Sequence, residues 1–177
     1  MTSSATKTTI LVLGATGMNG KLIVQQMKES DEFKAGDFVL RLASRRMEQV
    51  DEWNEEGIVT AVYMDLDDPK TFGPALAGVD RIFILTGYTV DMLVQAKTLV
   101  DACVKAGVSH IVHLGVFGNW DTTDAHFAWH QLIETYIKAS GINWTNLHPN
   151  YFMEMLLGLT AIRNDSFPVF PRDKPLG

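Results

Sequence analysis

Short, uninterrupted apolar runs alternate along this chain with stretches in which apolar residues recur every three or four positions. Residues 10–13 are apolar on both faces, as strands covered on both sides of a parallel sheet are. After Gly17, the spacing of Met18, Leu22, Ile23 and Met27 predicts a helix. Residues 38–43 predict a second strand, and Met47, Val50 and Trp53 a short helix. Residues 58–64 and 81–85 predict the third and fourth strands. The clearest helix is DMLVQAKTLVDACVKAG, with Met92, Leu93, Ala96, Leu99, Val100, Cys103 and Val104 on one stripe and Gly107 at the stop. HIVHLGVFG predicts a fifth strand. A helix carrying Phe127, Leu132, Ile133, Tyr136 and Ile137 then ends at Ser140-Gly141. INWTNLH predicts a sixth strand, stopped by Pro149. Strands alternating with helices imply right-handed crossovers, hence an α/β doubly wound parallel sheet.

Composition narrows the class without changing this picture. The 177 residues are 46% hydrophobic and 20% charged, which fits one folded domain over residues 1–177. No apolar run approaches the ~20 residues that span a bilayer, and the polar start lacks a secretory signal. A single cysteine, Cys103, forms no internal disulfide and reads as a small buried hydrophobe in a reducing cytoplasm. A net charge of −6 offers no broad basic surface, which argues against direct nucleic-acid binding. Trp120, Phe127, Trp129 and Trp144 read as core and pocket wall, and Asp68 before Pro69 as a helix start. Nothing in the pattern points to an oligomeric state.

The chemistry begins at GATGMNG, where the first strand breaks into three spaced glycines and a helix follows. A dinucleotide pyrophosphate needs backbone N–H donors at a helix N-terminus and no side chain in its path. Gly14 suits the tight turn, Gly17 the close approach and Gly20 the packing of helix on strand. At the end of the second strand, where an acidic residue would hold the ribose of NAD, the chain has RLASRR. Arg45 and Arg46 beside Ser44 suit a 2′-phosphate, so NADP(H) is favoured over NAD(H). The plainer reading of the two arginines is a solvated helix start.

These residues, with MDLDDPKTFGPALAGVDRIFIL, VDACVKAGVSHIVHLG and HQLIETYIKASGINWTNLHPNYFMEM, resemble the NmrA-like branch of the atypical short-chain dehydrogenase/reductases. The resemblance runs from about Thr8 to Met155. It implies a bound NAD(P)H with its pyrophosphate on Gly14, Ala15, Thr16, Gly17, Met18, Asn19 and Gly20, and its 2′-phosphate near Arg45. It further implies adenine contacts from Asp65 and Leu66. The nicotinamide would pass Thr86, Gly87, Pro149, Asn150, Tyr151 and Phe152. Relatives continue into a C-terminal substrate lobe, of which residues 160–177 would be the start.

The chain departs from the family pattern where chemistry is expected. Many reductases of the superfamily use a Tyr-x-x-x-Lys pair, in which the lysine lowers the tyrosine pKa. Here Tyr63, Tyr88, Tyr136 and Tyr151 are followed four positions on by Asp67, Met92, Ser140 and Met155. Where a lysine commonly stands four residues before the helix glutamate, Glu134, this chain has His130. A histidine there can hydrogen-bond a ribose hydroxyl or substrate carbonyl and titrate near neutral pH, or simply fill a half-buried polar contact. Candidate residues for the chemistry are therefore His130, Tyr88 and Tyr151. His126 and His130, four apart, with His113 nearby, have a zinc-like spacing, but the metalloprotease glutamate is absent and no metal is expected. Two functions follow from the resemblance. One is a reductase delivering hydride to a quinone-like or other conjugated acceptor, which needs no strong positioned acid. The other is a non-enzymatic NADP(H) sensor acting through a protein partner.

Overall fold

A computed structural model describes residues 7–150, in which all six apolar runs become strands of one parallel sheet. The strands are β1 (Thr8–Val12), β2 (Phe38–Ser44), β3 (Thr60–Tyr63), β4 (Arg81–Ile84), β5 (His110–Leu114) and β6 (Asn143–Leu147). Between them lie α1 (Met18–Glu29), α2 (Asp31–Ala35), α3 (Met47–Glu56), α4 (Phe72–Leu76), α5 (Met92–Ala106) and α6 (Ala125–Ala139). The spatial order β3-β2-β1-β4-β5-β6 reverses between β1 and β4. Such a reversal opens a crevice at the carboxyl ends of the strands.

Burial on both sheet faces explains the unbroken apolar strands. Leu11 points into a core shared with Ile82, Ile84, Leu99, Cys103 and Ile111. Its neighbour Val12 points into the opposite core, with Leu40, Leu42 and Phe83, covered by Ile23 and Val24 of α1 and Trp53 of α3. Each fully buried side chain of this size contributes about 1.5–3 kcal/mol. Cys103 behaves as a hydrophobe: it is fully buried, and burial pushes its thiol up to about 12.

Several expectations need correction. β5 ends at Leu114, not Gly118, because its partner β6 ends at Leu147, opposite Leu114. Leu132 and Tyr136 lie on the outer flank of α6, 57% and 37% exposed, and not on its buried stripe. Trp120 and Trp144 are exposed and do not wall a core. Helix α2 was not foreseen; the Ser30 hydroxyl starts it by accepting from the Phe33 N–H at 3.2 Å. Asp68 caps the 3-10 turn Pro69–Thr71 as read. No described helix is long and apolar enough to cross a membrane.

Candidate functional site

The β1–α1 turn is shaped by close backbone approach. Gly14 has φ +68°, and a Cβ there would come 2.7 Å from a Leu85 methyl. A Cβ on Gly20 would overlap the Gly14 carbonyl, so α1 sits on the turn at a distance that only glycine permits. At Gly17, by contrast, a Cβ would meet only the Gly14 carbonyl oxygen, at 3.3 Å, and otherwise open space. Gly17 is the N-cap of α1, no side chain caps the helix, and its first turn holds no acidic residue. Among the described residues, no side chain takes up the donor N–H groups or the positive end of the helix dipole.

This turn borders a cleft of about 690 Å³. Gly14 and Thr16 contribute from the turn, Ser44, Arg45 and Arg46 from the end of β2, Asp65 and Leu66 from the end of β3, and Gly87 from beyond β4. The Ser44 hydroxyl accepts from the Arg46 backbone N–H at 3.1 Å, and the Arg46 guanidinium donates to Gln49 Oε1 at 3.3 Å. Arg45 is exposed and forms no ion pair among the described residues. Arg41 points elsewhere, donating to the carbonyls of Ala75 and Ala77 at 3.1 and 2.7 Å.

Other expected residues fall outside the cleft lining. Ala15 lines a neighbouring groove between α1 and α3, which shares Thr16 and Arg46 with the cleft. Gly17 and Met18 are exposed at the helix start, with Asn19 half-buried and Gly20 buried. The Thr86 hydroxyl is buried without a partner among the described residues. Pro149 accepts from the Phe117 N–H at 3.0 Å, and Asn150 is exposed. Tyr151 and Phe152 lie outside the described residues. Asp67, Thr89, Asp91 and Gln95 line the cleft without having been foreseen. The Gln95 side chain donates to Asp67 Oδ1 at 2.6 Å, tying α5 to the loop after β3. Only the crossover brings these two together, so no local signal marks them.

Tyr88 and His130 are linked through a third ring. Tyr88 is 70% exposed and meets His126 edge-on, with centroids 4.3 Å apart. His126 meets His130 at 4.8 Å, and His130 Nδ1 lies 3.4 Å from His113 Nε2. His113 is fully buried and His130 nearly so. Burial, with the neighbouring His130 imidazole, pushes His113 down to about 4; burial, with neighbouring His126, does the same to His130. The expectation that His130 titrates near neutral pH is therefore corrected: both rings are neutral there. Glu134, also buried, accepts from His148 Nε2 at 2.7 Å and lies 3.7 Å from Lys138 Nζ. Among the described residues, no three His, Cys, Asp or Glu side chains are grouped to hold a metal ion.

A parallel sheet that reverses order beside a glycine turn defines the Rossmann class of α/β folds. Within that class the chain belongs to the NmrA-like family, whose model matches residues 6–169. An NAD(P)H azoreductase from Xenophilus azovorans is 33% identical over 150 residues, covering 84% of this chain and 50% of the relative. A sanguinarine reductase from Eschscholzia californica is 26% identical over 200 residues, covering 82% and 70% respectively. The Citrobacter sp. triphenylmethane reductase complexed with NADP(H) has the same fold, with TM-score 0.76, 24% identity, and coverage of 88% of this chain and 54% of that one. An NADPH-dependent quinone oxidoreductase from Escherichia coli gives TM-score 0.74 at 21% identity, with 87% and 53% coverage. The chain spans about half the length of the azoreductase and of these two structures.

Proposed function

We propose that this chain binds a reduced nicotinamide dinucleotide, NADPH in preference to NADH, and serves its hydride transfer to a quinone-like or other conjugated acceptor. One observation carries the reading: the turn leading into an uncapped helix and two arginines, Arg45 without an ion pair among the described residues and Arg46 held only by Gln49, line one cleft at the sheet's reversal point. A pyrophosphate needs unobstructed N–H donors, and Gly17 leaves that approach open. A 2′-phosphate dianion needs charge-assisted donors, which Arg45 and Arg46 supply beside Ser44. Asp65 and Leu66 offer the adenine a polar edge and an apolar wall. The buried, unpartnered Thr86 hydroxyl fits a polar contact at the nicotinamide end. When bound, the reduced nicotinamide supplies the hydride; the chain's part is to hold, orient and shield. The reductase names of the azoreductase and sanguinarine reductase relatives support the direction of the chemistry. A conjugated acceptor suits a sequence without a Tyr-x-x-x-Lys pair, because its delocalised product anion needs no strong acid beside it.

Mixing the protein with NADPH and a panel of quinones, and following the absorbance of the reduced nicotinamide, tests this directly. Consumption of NADPH is expected. Binding without consumption would overturn the reductase and leave a cofactor-binding sensor. Calorimetry should find NADPH bound about tenfold or more tightly than NADH, a difference that Arg45→Ala/Arg46→Ala erases. Equal affinities, unchanged in that variant, would remove the NADP preference.

A further inference from the structure

Buried polar atoms without partners gather in one part of the molecule. Among the described residues they are Thr86 Oγ1, His126 Nδ1, His113 Nδ1 and both amide atoms of Asn146, although the His113 ring and the Asn146 amide, paired across β5 and β6, are close enough to interact weakly. All belong to residues at or near the carboxyl ends of β4, β5 and β6 or the start of α6. A buried group left without a hydrogen bond costs about 1–3 kcal/mol, so several kept together call for internal water.

The surrounding side chains run from one surface to another. His148, 46% exposed at its side chain, donates to the buried Glu134 at 2.7 Å. At the point where a Cβ on Gly115 would stand, Glu134 Oε1 is 2.7 Å away and His113 Cε1 3.4 Å, so carboxylate and inner histidine flank the same backbone gap, within reach of one bridging water. Asn146 stands opposite His113 in the β5–β6 register. His113 leads to His130 at 3.4 Å, and His130 to His126. His126 abuts Tyr88, which lies between Gly87 and Thr89 of the cleft wall.

We propose that His148, Glu134, His113, His130 and His126, joined by internal waters, conduct protons across the domain to the cleft, where they complete the reduction of the acceptor. The proposal rests on the reductase reading. An acceptor X=Y takes a hydride at X, with the electron pair given by the reduced nicotinamide, and carries an anion at Y. His126 gives Y a proton through water beside Tyr88. Each imidazole accepts a proton on one nitrogen as it releases the one on its other, the Glu134 carboxylate takes a proton from His148 as it hands one on to His113 through water, and solvent at His148 supplies the last. The product is HX–YH, with the nicotinamide oxidised. His113, held near 4 by burial and by His130, and His130, held near 4 by burial and by His126, pass protons as neutral rings. The titratable groups facing them are His126, Glu134 and Lys138 of α6, His148 beyond β6, and Tyr88 after β4. Tyr88 is a positioning residue that holds the His126 ring edge-on.

The test compares an azo dye, whose reduced anion is strongly basic, with benzoquinone, whose reduced anion is weakly basic, using NADPH as donor. In His113→Gln, turnover of the dye is expected to fall about tenfold or more, with a changed solvent deuterium isotope effect, while the quinone loses less than about twofold. Equal losses with both acceptors would mean a packing role only and overturn the path. NMR of labelled imidazole nitrogens in the full chain gives a second readout that needs no turnover. A conducting path exchanges the His113 and His130 ring protons with water within milliseconds, and His148→Ala, altered only at the exposed end, slows the exchange. Ring protons protected for minutes in the unaltered chain would overturn the proposal. If neither acceptor consumes NADPH, the reductase reading fails by itself and the exchange rate alone decides the path.

Discussion

Helices α1 and α6 both begin at the carboxyl end of the sheet, and they treat their first turns in opposite ways. In α6, the Asp124 carboxylate accepts from the N–H groups of His126 and Phe127 at 2.9 and 3.3 Å. In α1, Gly17 stands at the same position and offers no side chain. Helix α6 satisfies its own donors and keeps its positive end to itself; α1 has no side chain on either. The α6 side puts its functional groups inside, as buried imidazoles, whereas the α1 side exposes backbone. In the proposed function, phosphate recognition would thus draw on chain geometry on one side, and proton chemistry on side chains on the other.

The largest expected effect breaks the α1 half outright. Gly20→Ala places a methyl group on the Gly14 carbonyl, a backbone atom that cannot swing aside. The cost should reach or exceed about 3 kcal/mol, the upper end for overpacking. Thermal unfolding should show a large loss of stability or no cooperative transition. A melting temperature within a few degrees of the unaltered chain would mean that α1 can slide off the turn freely.

Acid acts on the α6 half. His113 and His130 take protons at about 6.5 when unfolded but only at about 4 when folded. The unfolded chain therefore binds protons first as pH falls. The contribution of the pair is complete above pH ~6.5 and is lost progressively down to pH ~4, on the order of 3 kcal/mol for each ring that must take its proton. Urea unfolding followed over that range should show the decline, and His113→Gln should flatten part of it. Identical slopes in the two proteins would remove His113 from the effect.

The two halves also differ in how far the sequence reveals them. The strand–helix alternation and the Gly14–Gly17–Gly20 turn are local patterns, written within a few residues of each other, and they appear in the structure as read. The approach of Arg45 and Asp65 to that turn follows once a parallel sheet is assumed. The contact of His113 with His130 spans strand and helix 17 residues apart, and its consequence, two neutral rings, depends on burial that no spacing encodes. For the same reason Leu132 and Tyr136 were misread: their helical period is right, but which flank of α6 faces outward is decided by where α5 packs. Gln95 and Asp67 needed the crossover itself.

Moving the α6 solution onto α1 sharpens the comparison. Gly17 has φ −77° and ψ 170°, open to any residue, and a Cβ there meets only the Gly14 carbonyl oxygen, in a tight contact at 3.3 Å that a shift of a few tenths of an ångström relieves. Gly17→Asp should cap α1 as Asp124 caps α6, raising stability by a few tenths of a kcal/mol. The carboxylate would also occupy the donors and repel a phosphate, so NADPH affinity should fall about a hundredfold. Calorimetry beside a thermal melt separates the two effects. Undiminished affinity in a folded variant would mean that the helix end is not where the anion sits.

The reverse change is the mildest. Asp124→Ala frees the first turn of α6 and should cost about 1 kcal/mol in chemical denaturation. NADPH binding should be unaffected, because the lost anion belongs to a helix that closes on itself. The useful detail lies in His126, whose N–H is one of the two that Asp124 accepts. Fraying there loosens the ring that links Tyr88 to His130, so turnover of a basic-product acceptor should drop more than that of a quinone. If both acceptors slow equally, Asp124 supports only the helix, and the outer end of the histidine column needs no cap to hold it.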